Sequence, residues 1–187
     1  MHELDVAVLT GSLRQQSLSR KMGRAACTLS PPGMALSIVE IGDMPHYNED
    51  LEASPPAAFT RFRERISASD AVLFVTPEFN RSMPGVLKNA LDVGSRPWGK
   101  SIWDGVPAAV ISMSPGALGG FGAHHHLRQV LMAVNLVAMP HPEAYLGGAA
   151  TLFDETGGLV DAATRDFLAG FLQSFRIWID QQRAPRE

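Results

Sequence analysis

Short apolar runs recur along the chain at Leu4 to Leu9, Met34 to Ile41, Ala71 to Val75 and Ala108 to Met113, with a less regular one near Leu136 to Leu146. The first run is polar only at Asp5, and such near-continuous hydrophobicity suits a strand covered on both faces. Between the runs, apolar residues return at helical spacing over Leu18 to Leu29, Ala57 to Ala68, Pro84 to Val93 and Gly122 to Asn135, and an amphipathic segment covers Val160 to Gln182. Strand and helix alternating over short connections predict a doubly wound α/β domain, with a parallel sheet and right-handed crossovers. The 187 residues suit a single domain spanning 1–187, with a frayed tail at Arg183 to Glu187.

In such a sheet a ligand sits beyond the carboxyl ends of the strands, where the strand order reverses. The loops after the first, third and fourth runs should therefore carry the chemistry, and they are the least ordinary segments of the chain. The first, GSLRQQSLS from Gly11 to Ser19, leads directly into a helix start. Free amides of that first turn, hydroxyls of Ser12, Ser17 and Ser19, and the two-pronged charge of Arg14 suit a terminal phosphate. Plain helix capping by Ser17 or Ser19 uses the same geometry and stays open. Neither GxxxxGK[ST] nor GxGxxG is present, which argues against a triphosphate or dinucleotide loop of those kinds.

The second loop, TPEFNRSMPG, is stiffened by Pro77 and runs to a helix start at Ser82 and Pro84. It displays Glu78, Phe79 and Asn80, whose backbone and amide groups suit the edge of a flat heteroaromatic ring; a solvated Glu78 and a core-packed Phe79 would look the same. In the helix that follows, Val86, Leu87, Ala90 and Leu91 form one stripe, with Lys88, Asn89 and Asp92 off it. Trp98 and Trp103 come next, to overhang a flat ligand, to meet a partner subunit or, more simply, to be buried. The third loop, SPGALGG, carries Ser114, Gly116, Gly119 and Gly120, and glycines there let backbone lie flat along a ring.

Composition narrows the partners. A net charge of −3 without a basic block argues against nucleic acid, and no apolar run reaches the roughly 20 residues of a spanning helix. Cys27 is the single cysteine, so no disulfide forms within the chain. The first run begins too early to leave room for a signal peptide, and a cytoplasmic location follows as the expectation. His124, His125 and His126 are consecutive, so on a helix their side chains diverge by about 100° and cannot share a metal ion. No GxSxG elbow is present, and no residue stands out as a catalytic nucleophile.

With the three loops in view, the chain resembles the NADPH-dependent FMN reductase family, flavodoxin-like reductases that include quinone, azo-dye and chromate reducers. The most specific stretch is Pro77 to Asp92, which meets the pattern P-E-[YF]-N-x-S-x-P-x-x-L-K-N-A-[IL]-D. The resemblance implies a five-stranded parallel sheet of order 2-1-3-4-5 with helices on both faces, and non-covalent FMN at its carboxyl edge. It implies further that Ser12, Arg14, Ser17 and Ser19 hold the FMN phosphate with the backbone of Gln16 and Leu18 nearby. Pro77, Glu78, Phe79 and Asn80 would border the isoalloxazine, and Ser114, Gly116, Gly119 and Gly120 its pyrimidine side. Many relatives carry arginine just after the paired glycines, whereas Phe121, Gly122 and Ala123 stand here, so the choice between NADPH and NADH is open. The implied activity is hydride transfer from a nicotinamide to FMN and on to a quinone, azo compound, flavin or similar small acceptor, by ping-pong use of one site with no protein acid–base dyad. A homodimer or homotetramer is implied as well. The rival readings are a flavodoxin-type electron carrier, for which −3 is a modest charge, and a flavin-free binding module.

Overall fold

The computed structural model describes residues 3–183. In chain order the strands are β1 (Leu4–Thr10), β2 (Met34–Ile38), β3 (Ala71–Pro77), β4 (Pro107–Met113), β5 (Val137–Ala138) and β6 (Ala144–Leu146). The helices are α1 (Leu18–Thr28), α2 (Ala57–Ser67), α3 (Gly85–Gly94), α4 (Phe121–Ala133) and α5 (Ala162–Arg183), with 3₁₀ turns at Glu49–Ala53 and Ala149–Thr151. Arg183 closes α5, and the remaining residues of the expected frayed tail lie outside the described residues.

All strands are parallel, in the order β2-β1-β3-β4-β5, and β6 also pairs with β4. β5 and β6 together fill the fifth position, β5 beside Pro107 and Ala108 and β6 beside Ile111 to Met113. They are separate because the five residues between them include Pro140 and Pro142, which carry no N–H for a ladder.

The pleat sorts side chains into two cores. Val6, Val8, Leu73, Val75, Ala109 and Ile111 pack under α1 and α5, against Met22, Ala26, Phe171, Leu172 and Phe175. Ala7, Leu9, Val72, Phe74, Ala108 and Val110 face the other way, onto Phe59 and Phe62 of α2, Leu87 and Leu91 of α3, and Leu127 and Leu131 of α4. Each fully buried Val, Leu, Ile, Phe or Met side chain among them contributes about 1.5–3 kcal/mol. Gly23 lets α1 lie close on the sheet, since a Cβ there would stand 3.0 Å from the Thr10 methyl.

β2 is shorter than the apolar run suggests. Val39 N still donates to Val8 O at 3.0 Å, but the chain then leaves the sheet, and Val39 and Ile41 stay buried by packing on the α2 and α3 side. The one polar residue of β1 is also accounted for: Arg65 of α2 grips Asp5 with both guanidinium nitrogens, at 2.8 and 2.9 Å. That fork sits at the amino end of β1 and leaves the carboxyl ends of the strands for other work.

Candidate active site

The strand order reverses between β1 and β3: the chain leaves β1 toward β2 and leaves β3 toward β4. Loops parting in opposite directions open a crevice at the carboxyl ends of the strands. A cavity of about 480 Å³ lies there, lined from β1–α1 by Gly11 to Arg14 and Ser17 to Ser19, from β3–α3 by Pro77 to Phe79 and Pro84 to Val86, and from β4–α4 by Met113 to Pro115. Small-molecule sites commonly fall between about 300 and 1,000 Å³, and a mononucleotide belongs in that range.

One end of the cavity gathers groups of the kind that suit an anion. Ser17 is the N-cap of α1, its Oγ accepting from Arg20 N at 3.1 Å and lying 2.9 Å from Ser19 Oγ. The cap satisfies one first-turn amide and leaves those of Leu18 and Ser19 without an intrahelical acceptor, at the positive end of the helix dipole. Ser17 is thus the helix cap that one sequence reading allows, and it lines the cavity as well. Arg14 is exposed, and among the described residues no carboxylate pairs with it. Ser12 Oγ accepts from Arg14 N at 3.4 Å and helps shape the turn. Gly11 seals the base, where a Cβ would stand 3.1 Å from Pro77 Cδ and 3.2 Å from Thr76 Oγ1.

The opposite end is bordered by the β3–α3 loop, which is a miniature hairpin. Phe79 and Ser82 exchange both backbone bonds, at 2.9 and 3.0 Å, across Asn80 at φ 50° and Arg81 at φ 63°. Two consecutive positive φ angles make this a tight turn of the type in which asparagine is favoured. Phe79 is 65% exposed at the rim, so it is not the core residue that one sequence reading allowed. Nor is Glu78 solvated: its side chain is 15% exposed, and Oε2 accepts from Gly122 N at 2.9 Å and Ala123 N at 3.3 Å.

Of the residues singled out from sequence, Ser12, Arg14, Ser17, Leu18, Ser19, Pro77, Glu78, Phe79 and Ser114 line the cavity. Gln16, Asn80, Gly116, Gly119 and Gly120 do not. Gly119 and Gly120 adopt φ 59° and 77° and hold the third loop in place: a Cβ on Gly119 would stand 2.7 Å from the Tyr145 carbonyl carbon, and one on Gly120 3.1 Å from Met113 N. Sequence reasoning passed over Leu13, Pro84, Gly85, Val86, Met113 and Pro115, which also line the cavity. Val86 packs against the core, as its place on the stripe predicts, and also lines the cavity; its position in the first turn of α3, directly after a site loop, is the available signal.

Asn89 breaks the expected pattern of α3. It is 7% exposed, its Oδ1 accepting from Tyr47 N at 2.7 Å and its Nδ2 donating to Pro45 O at 2.9 Å. Trp103 is fully buried beneath α3, Nε1 donating to Leu91 O at 2.9 Å, while Trp98 stands 86% exposed. The three histidines diverge as expected. His124 Nδ1 faces Ser112 Oγ at 3.2 Å, His125 Nε2 meets the Tyr145 hydroxyl at 3.1 Å, and His126 Nδ1 lies 2.7 Å from Ser82 Oγ. Burial, aided by the Arg128 cation, pushes the His124 imidazole down to about 4 against the opposing pull of Glu143. Burial and the Glu143 carboxylate push the Tyr145 phenol up to about 12.

A family model described as NADPH-dependent FMN reductase matches residues 4–151, which contain all three site loops. A quinone reductase of Pseudomonas putida is 59% identical over 180 residues, 96% of each chain. A 2-hydroxy-1,4-benzoquinone reductase of a Burkholderia species is 41% identical over 96% of this chain and 98% of its own. Among solved structures, a flavoenzyme NAD(P)H:(acceptor) oxidoreductase from Paracoccus denitrificans superposes with a TM-score of 0.90 at 43% identity, covering 96% of this chain and 98% of its own. A flavodoxin variant from Pseudomonas aeruginosa, at 21% identity and a TM-score of 0.57 over 92% of this chain and 99% of its own, shares the fold. A crevice at the strand reversal, lined by the motif residues and matched over nearly the whole chain, places this protein in the NADPH-dependent FMN reductase family.

Proposed function

We propose that this chain is an FMN-dependent NAD(P)H oxidoreductase of a single domain that reduces quinones and similar small acceptors. The observation that carries this reading is the convergence of three loops on one cavity with an anion-binding end and a largely apolar end. Bound FMN would supply the redox chemistry, relaying hydride from NADPH or NADH to an acceptor that enters after the nicotinamide has left.

The chain's own residues then bind and orient. At the phosphate end, Arg14 and the hydroxyls of Ser12, Ser17 and Ser19 would hold the terminal phosphate, with the Leu18 and Ser19 amides of α1 as further donors. At the ring end, Pro77, Glu78 and Phe79 would border one edge of the flavin, and Ser114 its pyrimidine side. The Ser114 hydroxyl donates to Gly116 O at 3.0 Å, and Ser114 N to Leu146 O at 3.1 Å, so this wall is fixed without the ligand. Gly119 and Gly120 support it from behind. No titrating dyad is required of the protein.

Among the described residues no helix is long and apolar enough to cross a membrane, and the reading includes a cytoplasmic location, where reduced nicotinamides are available. It includes a homodimer or homotetramer, supported by Phe121 and Met132 of α4, 52% and 76% exposed. The test is a visible spectrum of the protein mixed with FMN, followed by anaerobic additions of NADPH and NADH. The expected result is a bound flavin band that bleaches with nicotinamide and returns with a quinone. A flavin that needs a second enzyme for bleaching would make the chain an electron carrier, and no flavin uptake would overturn the reading altogether.

A further inference from the structure

Helix α4 begins with a deficiency. Its N-cap is Gly120, in the left-handed conformation and without a side chain to accept from the first-turn amides. Orphan amides at a buried helix start need an acceptor from elsewhere. Glu78 supplies it from another loop: Oε2 takes the Gly122 and Ala123 amides at 2.9 and 3.3 Å, across 44 and 45 residues of sequence. The negative charge also sits at the favourable end of the α4 dipole. A second link runs parallel to the first, Ser82 Oγ to His126 Nδ1 at 2.7 Å, one turn further along the same helix.

Both links start on the miniature hairpin and end on α4. The hairpin forms one wall of the cavity through Glu78 and Phe79, and the loop that precedes α4 forms another through Ser114 and Pro115. Arg81 is a weak rival for the carboxylate, at 3.3 Å with its side chain 81% exposed. Gly122 leaves the carboxylate its room, since a Cβ there would lie 3.0 Å from Glu78 Oε2 and 3.2 Å from Arg81 O.

We infer that Glu78 is a positioning residue whose carboxylate, acting as the missing cap of α4, clamps the β3–α3 hairpin to the β4–α4 wall and so sets the spacing in which the acceptor is held. This rests on the reading of the cleft as an FMN and quinone site. The phosphate end is built from the β1–α1 loop, so loss of the clamp shifts the ring end, where the acceptor must stack, while the phosphate anchor retains the flavin.

The test compares E78A, E78Q and G122A with the parent chain. Backbone exchange at Gly122 and Ala123 is followed in flavin-free protein; FMN affinity is read by fluorescence titration and quinone KM and kcat on the loaded enzyme. In E78A the two amides exchange about tenfold faster and quinone KM rises about five- to tenfold, as expected for losing a charged hydrogen-bond acceptor, with FMN affinity within about threefold. E78Q, which keeps an acceptor oxygen but not the charge, falls between the two. G122A crowds the carboxylate at 3.0 Å, and the partial gain in helix propensity offsets part of that cost, so the protein stays folded while quinone KM rises. Unchanged quinone KM in both E78A and G122A overturns the inference, and G122A decides alone if E78A does not fold. E78Q as impaired as E78A, with an altered pH profile, overturns it too by making Glu78 a proton carrier. Failure of the parent chain to take up FMN sinks the functional reading itself.

Discussion

Arg14 carries the clearest consequence of any single residue, because among the described residues no carboxylate pairs with its charge and it lines the cavity beside the start of α1. Arg14→Ala should weaken FMN binding by about 2–3 kcal/mol, roughly 30- to 150-fold, the loss expected for a charge-assisted hydrogen bond. A fluorescence titration measures it, and unchanged affinity would remove Arg14 from the phosphate site. This residue was legible in the sequence because a strand, a glycine and a helix start fix where the loop must lie. Glu78 and Asn80 were legible only as positions. Sequence put both in the right loop, but that Glu78 caps a helix 44 residues away, and that Asn80 serves a positive φ, depend on contacts no local pattern encodes. Asn89 shows the same limit, since helical spacing puts it off the apolar stripe and says nothing of a polar side chain buried by two backbone partners.

Elements follow the apolar pattern where burial and pairing coincide. β1, β3 and β4 start and stop within two residues of their runs, because both faces are covered and both edges are paired. Where buried positions continue past the ladder, as at Val39 and Ile41, the pattern overstates the strand. Helix α3 illustrates what packing adds. Asn89 ties it to the segment after β2, so Asn89→Ala should destabilise the fold by about 2–3 kcal/mol, leaving a backbone donor and an acceptor poorly satisfied. Denaturant unfolding reads this directly. At its end, Gly94 lies under the Trp103 indole, and a Cβ would stand 2.3 Å from Cε2. Gly94→Ala should therefore lower the melting temperature, with about 1–3 kcal/mol of overpacking outweighing the gain of about 0.5–1 kcal/mol in helix propensity. A raised melting temperature would show that Trp103 moves freely.

The whole molecule should weaken in acid. His124, 1% exposed, stays neutral to about pH 4 in the folded state, whereas an unfolded histidine takes its proton near 6.5. Between those values the unfolded chain binds more protons, so stability falls as pH falls, by up to about 3 kcal/mol, and is unaffected by this group above 6.5. Urea unfolding from pH 7 to pH 4 should show the slope, and His124→Gln should flatten it. At this scale the sheet order was open to inference from alternation together with the family resemblance, whereas the divided fifth position was not, since apolar content alone does not reveal where the ladder breaks. That division has a further consequence. An outermost strand of a sheet is a template on which another molecule's strand can add. Here Pro140 and Pro142 withhold their amide hydrogens midway between β5 and β6, so an incoming strand would meet a gap in its donors after two residues on one side and three on the other, and this flank of the protein is guarded against aggregation by strand addition.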